Sequence, residues 1–301
     1  MSLIPEISVI ILNYNGLADT QELLESLFLN SKGNFEVLLV DNGSDTGETT
    51  TLSQKFKDIT IIRTGENLGF AGGNNRGIIK ARGRYILLLN NDTLIIDDSV
   101  NKMAAFMEKN PAIGALSPRL LYNDQERTLQ YAGYTRLSLI TLRNKCLGMG
   151  EADRGQYMEP SATAYTHGAA MMVRREVIEK SGVMEEDYFL YYEEMDWCER
   201  IKKAGYEIWY YPGSSVIHKE SRSTGKESAA KSYYMTRNRL MFAERHRKGM
   251  VKIIAIIYLL SIAPAAGVCR SLAKGRRDNA RAILFGVRDF LINRYGKWQP
   301  L

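Results

Sequence analysis

Between residues 7 and 92 the chain passes four times from a short apolar run to a polar cluster, and this alternation restricts the fold more than any other feature. The runs occupy residues 7–12, 35–40, 59–62 and 85–89. After the first, Leu17, Leu24, Leu27 and Phe28 recur at helical spacing, with Asp19 or Thr20 placed to cap the helix. Further helices are expected after the second and third runs. Continuous apolar strands alternating with helices build a parallel sheet covered on both faces. The first run ends at Asn13-Tyr14-Asn15-Gly16, the second at Asp41-Asn42-Gly43-Ser44-Asp45, the fourth at Asn90-Asn91-Asp92. A glycine-rich segment from Asn67 to Asn75 follows the third. Ligands of such sheets bind beyond the carboxyl ends of the strands, so these clusters should converge on one crevice.

A chain of 301 residues, 45% hydrophobic, can bury one large core or two modest ones, which excludes fibrous and wholly disordered classes. Residues 1–6 lack the basic and apolar stretches of a signal peptide. Cys146, Cys198 and Cys269 are odd in number and widely spaced, as in reduced cytosolic proteins. A cytoplasmic location is therefore expected. The net charge of +6 conceals an asymmetry: from Lys219 onward about 18 Lys/Arg face about 5 Asp/Glu, while the remainder is acidic. A basic tail calls for an anionic partner, either nucleic acid or acidic lipid.

Within that tail, residues 253–268 form an apolar run with basic flanks, interrupted by Pro264. As a helix it would reach about 24 Å, short of a hydrocarbon core of about 30 Å. It reads as a helix lying on an anionic membrane surface, the other reading being a hairpin packed on the protein's own body. No recognisable nucleic-acid module accompanies the basic residues, so nucleic acid is not expected.

Four groups of residues can carry chemistry. Asp41, at a strand end, can accept hydrogen bonds from a nucleobase or ribose, or only close an Asx turn. Asp92 would meet a divalent ion on a diphosphate, since Mg²⁺ and Mn²⁺ favour one or two carboxylates plus substrate phosphates; a plain polar turn is the other reading. Glu193, Glu194 and Asp196 stand among Phe189, Tyr191, Tyr192 and Trp197. Burial there would raise a carboxylate's pKa and suit it to act as a base, whereas a solvated helix start would equally favour acids. His218 and His167 are metal-ligand candidates or ordinary structural histidines. The glycine segment has the wrong spacing for a dinucleotide fingerprint; it reads as a loop that lets the backbone approach a ligand.

In order and spacing these clusters resemble the inverting nucleotide-sugar glycosyltransferases of family two, with the GT-A fold, in their rhamnosyltransferase-like branch. The matching pieces include Val9–Asn15, Val40–Ser44, Glu66–Asn74, Asn90–Asp92, His167–Ala169, Tyr192–Asp196, Ile217–His218 and Arg237–Arg239, spread over about residues 5 to 245. The resemblance implies that Asn13, Asn15, Asp41, Asn67, Gly72, Asn75 and Asn91 hold the nucleotide sugar. It implies Asp92 and His218 as ligands of a divalent cation, Mn²⁺ or Mg²⁺, and His167, Gly168 and Trp197 on the acceptor side. Glu194 is implied as the base, with Glu193 and Asp196 beside it. Two positions depart from the family pattern: Asn90 replaces an aspartate, and Glu194 replaces the usual aspartate of the base motif.

The expected organisation is a nucleotide-sugar-binding half at 1–115, an acceptor and catalytic half at 116–245, and a basic helical tail at 246–301. The expected activity is transfer of a sugar, from dTDP-rhamnose or a UDP-hexose, to a glycan or lipid-linked glycan at the cytoplasmic face of a membrane. Nucleotidyl transfer and non-catalytic nucleotide or glycan binding are the alternatives, and the oligomeric state is left open.

Overall fold

The computed structural model describes residues 5–45, 47–220 and 228–300. Met1-Ser2-Leu3-Ile4 and Thr224, where the helical tail is expected to start, lie outside the described residues.

The four expected strands form as β1 (Ile7–Asn13), β2 (Phe35–Asp41), β3 (Ile59–Arg63) and β4 (Tyr85–Asn90). They pair in parallel, in the spatial order β3-β2-β1-β4. Register aligns Asn13 with Asp41 and Leu12 with Asn90, so the polar clusters stand side by side along one carboxyl edge. The sheet continues through β9 (Ala170–Arg174), β6 (Ile113–Tyr122) and β10 (Glu207–His218) to β5 (Thr93–Ile95). Two short strands, β7 (Leu129–Tyr131) and β8 (Ser161–Ala162), pair with β6 and β10. Antiparallel β9 separates β4 from β6, while β10 runs parallel to β6. One sheet thus spans both expected halves, and β6 crosses the boundary between them.

Successive side chains of these strands enter opposite cores. Val9, Ile11, Val37, Leu39, Leu87 and Leu89 pack against α1 (Leu17–Asn30), α2 (Glu48–Lys55) and α4 (Ser99–Lys109). Ile10, Leu38, Val40, Ile86 and Leu88 face α3 (Gly69–Lys80), α5 (Arg175–Ser181), α6 (Glu193–Lys203) and α7 (Ala229–His246). Burial on both sides explains why the strands are apolar throughout.

Two local expectations are corrected. Helix α1 starts after Gly16 without a side-chain cap, because Thr20 Oγ donates to Asn13 Oδ1 at 2.7 Å instead. The glycine segment is not a loop ahead of a helix but the first turns of α3 itself. A Cβ on Gly73 would lie 2.3 Å from Leu12 Cδ1, and one on Gly77 2.5 Å from Ile10 Cγ2. Those glycines let α3 lie directly on β1.

The tail forms α8 (Gly249–Leu260), α9 (Ile262–Ala273) and α10 (Arg277–Leu291). α10 packs on α7 through Ala282, Gly286 and Asp289, and its Ile283 faces Gly267 of α9. The helical run Gly249–Ala273 has 25 residues and contains an 18-residue stretch of mean hydropathy 2.1 with little burial, so it is long and apolar enough to cross a membrane. That exceeds the expected 16-residue run. It bends at Ser261, one turn before Pro264, which has no N–H to offer the preceding turn. Met250, Ile253, Ile257 and Ile262 are exposed on it. Arg247 holds the Leu139 carbonyl at 3.1 Å and thereby sets exposed Leu139 and Ile140 near the start of α8.

Candidate active site

The carboxyl edge of β4 carries Asp92 two residues beyond the strand, and β10 ends at His218. Antiparallel pairing sets His218 opposite Thr93, which brings His218 Nε2 to 3.2 Å from Asp92 Oδ1. His218 Nδ1 lies 2.8 Å from Gln130 Oε1, both groups being buried. Once Nδ1–H donates to Gln130, the other ring nitrogen turns its lone pair toward the Asp92 carboxylate. Two electron-rich ligands facing each other fit a cation seated against both. Among the described residues no group of three or more His, Cys, Asp or Glu could hold a metal. A hard divalent ion here would take two protein ligands and complete its shell with phosphate oxygens and water, the usual pattern for Mg²⁺ and Mn²⁺. Gln130 was not visible to sequence reasoning, since one amide in a three-residue strand carries no signal. Replacing Gln130 by alanine is expected to weaken Mn²⁺ affinity by about 10–100-fold, read by titrating Mn²⁺ in the presence of a nucleoside diphosphate.

Aromatic rings pack beside this pair. His167 meets His218 edge-on at 5.9 Å and stacks on Tyr134 at 6.1 Å. Burial pushes the His167 imidazole down to about 3, and neighbouring His218 adds to the effect. Burial also drives the Tyr134 hydroxyl upward, followed by the charges of Cys146 and Glu194. Ala169 accepts a hydrogen bond from Asn90 N at 2.9 Å, and a Cβ on Gly168 would touch Phe70 at 3.4 Å. Phe70 N in turn donates to Phe189 O at 2.7 Å. The residue before it, Gly69, has φ +76° and backs directly onto that carbonyl, so no side chain fits there.

Glu193 and Glu194 open α6, where the helix dipole favours their charge. Burial outweighs that and pushes both carboxyls upward, Glu193 further because Glu194 repels it. Glu193 is 3% exposed, and its Oε2 finds no hydrogen-bond partner among the described residues. An orphaned buried carboxylate oxygen beside a second acid is a costly arrangement, which makes the pair a candidate functional position. Glu194 is the less buried of the two.

The backbone ahead of these acids is strained: Phe189, Tyr191 and Tyr192 have φ of +63°, +69° and +78°. Two fully buried residues of α7 hold it in place. Asn238 Nδ2 donates to the carbonyls of Tyr188, Leu190 and Tyr191 at 2.8–3.0 Å, and Arg237 donates to those of Asp187 and Tyr188. Asn238→Ala would take a donor from three carbonyls, of which that of Tyr188 keeps Arg237. Turnover is expected to fall about 10–100-fold with the donor KM nearly unchanged, a split that separates mispositioned acids from a general loss of folded enzyme. Steady-state kinetics on the folded fraction checks it.

Several residues implied by resemblance serve the scaffold instead. Trp197 is fully buried and donates to Gly182 O at 2.7 Å, so it cannot meet an acceptor. Asp196 is 2% exposed and bound by Arg200 at 2.8 Å and His246 at 2.6 Å; against the upward push of burial, the hydrogen bonds from His246 and Arg200 lower its carboxyl below the ordinary value. Asn75 spends both ends of its amide on Met184 and Glu186, and Gly72 faces Leu68 and Glu186. Buried Asn13 ties Thr20, Ser44 and Glu48 together. Asn91 reaches Thr20 at 3.1 Å. Asn67 accepts from Gly69 N and Asn42, and Asn15 links to Asp45. Asp41 does close an Asx turn, accepting from Ser44 N at 3.0 Å, and lies in register with Asn13 at the crevice edge.

Comparisons with known proteins show the family and the fold. The profile of "Glycosyl transferase family 2" matches residues 8–182. The N-acetylglucosaminyl-diphospho-decaprenol L-rhamnosyltransferase of Mycobacterium tuberculosis is 27% identical over 260 residues, covering 79% of this chain and 84% of its own. The low-salt glycan biosynthesis hexosyltransferase Agl10 of Haloferax volcanii is 25% identical over 301 residues, covering 98% and 94%. Among solved structures, the mannosyltransferase PcManGT from Pyrobaculum calidifontis, in complex with GDP-Man and Mn²⁺, superposes with a TM-score of 0.61 at 18% identity, covering 97% of this chain and 89% of that one. The shared fold is that of the GT-A glycosyltransferases.

Proposed function

The chain belongs to glycosyl transferase family 2, and from that premise we propose that it moves a deoxyhexose or hexose from a nucleoside-diphosphate sugar to a lipid-linked glycan, with inversion. The observations that support this reading are the Asp92–His218 pair at the carboxyl edge of the sheet and the buried Glu193–Glu194 pair at the start of α6. Family membership favours sugar transfer over nucleotidyl transfer and over non-catalytic binding.

In this reading Asp92 and His218 would hold a divalent ion, which when bound neutralises charge developing on the departing diphosphate. Asp41, at the end of β2, accepts hydrogen bonds from the nucleoside. Glu194 takes the proton of the acceptor hydroxyl as it attacks from the face opposite the leaving group. Its raised pKa makes it a stronger base than an exposed carboxylate. Direct displacement inverts the anomeric centre without a covalent sugar–enzyme intermediate. Asn90 leaves the site one charge short of the family pattern, so metal affinity is expected to be modest.

dTDP-rhamnose is the first candidate donor, supported by the rhamnosyltransferase named among the relatives. The exposed apolar run of α8 and α9 supports a position at a membrane. Incubation with a panel of nucleotide sugars, Mn²⁺ and an isoprenyl-diphosphate-linked glycan tests the proposal: nucleoside diphosphate and an inverted glycoside are expected from one donor class. Pyrophosphate release from a nucleoside triphosphate instead would overturn it.

A further inference from the structure

Where α7, α9 and α10 meet lies a cavity of about 220 Å³ whose lining does not include Asp92 or His218. Four cations line it: Lys231 from the first turn of α7, Arg270 and Lys274 from the end of α9, and Arg276 from the start of α10. Ser271 and Asn279 add polar groups to the wall. The amino ends of α7 and α10 both open beside the cavity, adding partial positive charge. Nearby Asp278 is 83% exposed and pairs with Arg281 at 3.7 Å. The cavity closes the far end of the exposed apolar run formed by α8 and α9. On its other side, Lys231 Nζ lies 5.7 Å from the Tyr191 ring, on the strained turn that carries Glu193 and Glu194.

We propose that this cavity seats the phosphate of a lipid whose hydrocarbon chain lies along the apolar face of α8 and α9. Charge and shape fit together. A concave cluster of cations suits a phosphate, and an adjoining apolar helix suits the attached chain. The inference rests on the membrane-side reading given above and adds a ligand site to it. The lipid phosphate has two sources, a bilayer phospholipid or the diphosphate of the glycan carrier.

The test uses the full chain and co-sedimentation with phosphatidylcholine vesicles containing either phosphatidic acid or a long-chain isoprenyl diphosphate. In the combined variant Arg270→Gln/Lys274→Gln/Arg276→Gln, binding is expected to fall about fivefold for each cation lost, or about a hundredfold in all. Nucleoside diphosphate affinity should stay at the wild-type level. Ser271→Trp fills the cavity without changing charge and is expected to weaken binding as well. A phospholipid site responds with both vesicle types, and a carrier site only with the isoprenyl diphosphate. Unchanged binding in the charge variant would overturn the proposal, as would loss there with full binding by Ser271→Trp, which marks diffuse attraction. Asp92→Ala provides the converse control. It should lose nucleoside diphosphate and keep the vesicles, so failure of the donor site and failure of this cavity are told apart.

Discussion

Glu194→Gln is expected to lower turnover by about 10²–10⁴-fold while donor affinity stays near that of the wild type, because the amide keeps the shape of the side chain and cannot accept a proton. Burial raises the Glu194 carboxyl above its ordinary value of 4.5, and the amides of Glu194 and Met195 offset this only in part. The sign of the pH dependence follows. A base must be unprotonated, so activity declines as pH falls through the raised value, and the acid limb lies above pH 4.5. In the variant that limb should vanish from the residual rate. Glu194→Asp, which restores the acid usual in the family, is expected to recover part of the turnover with the limb intact. Turnover against pH for the three proteins checks all of this. Full activity in Glu194→Gln would move the role to Glu193, whose carboxyl is raised further by burial and by Glu194.

Asp92→Ala removes the only carboxylate of the proposed metal pair. Loss of one anionic ligand is expected to cost about a thousandfold in turnover, with nucleoside diphosphate affinity no longer responding to Mn²⁺. His218→Ala should act in the same direction but less strongly, since Asp92 supplies the charge. The comparison discriminates between roles. Were Asp92 only part of a polar turn, its loss would lower stability and leave the response to Mn²⁺ intact. Mn²⁺-dependent binding measured by calorimetry, alongside a melting curve, separates the two outcomes.

The first half of the fold was readable because β1, β2 and β4 are buried on both faces, which forces continuous apolar runs, and because polar residues cannot follow until the strand leaves the core. Antiparallel β9 was not readable: Ala170–Arg174 is apolar like the others, and its direction is decided by neighbours far along the chain. Glycines misled in an instructive way. Gly73 and Gly77 face β1, so the freedom they confer is spent on close packing of α3 rather than on a ligand.

Polar residue types were equally ambiguous. An asparagine at a strand end suits a nucleotide and also suits a scaffold, and only three-dimensional contacts show that Asn13 and Asn75 are fully engaged inside the protein. The acidic cluster was legible as a cluster, yet its members divide by partner. Asp196 faces Arg200 and His246, whereas Glu193 and Glu194 face neither. The clamp of Arg237 and Asn238 on the strained turn spans about fifty residues of sequence, beyond the reach of any local pattern. In the tail, α8 and α9 form a longer run than hydropathy alone outlined, because the helices extend at both ends beyond residues 253–268, from Gly249 to Ala273.

Pulsed electron paramagnetic resonance of bound Mn²⁺, with a nucleoside diphosphate present, reports directly on the ligands of the ion. Nitrogen coupling from one imidazole is expected in the wild type, and it should disappear in His218→Ala. Saturated Mn²⁺ that shows no nitrogen coupling, or a coupling that survives in His218→Ala, would contradict a metal site built from Asp92 and His218.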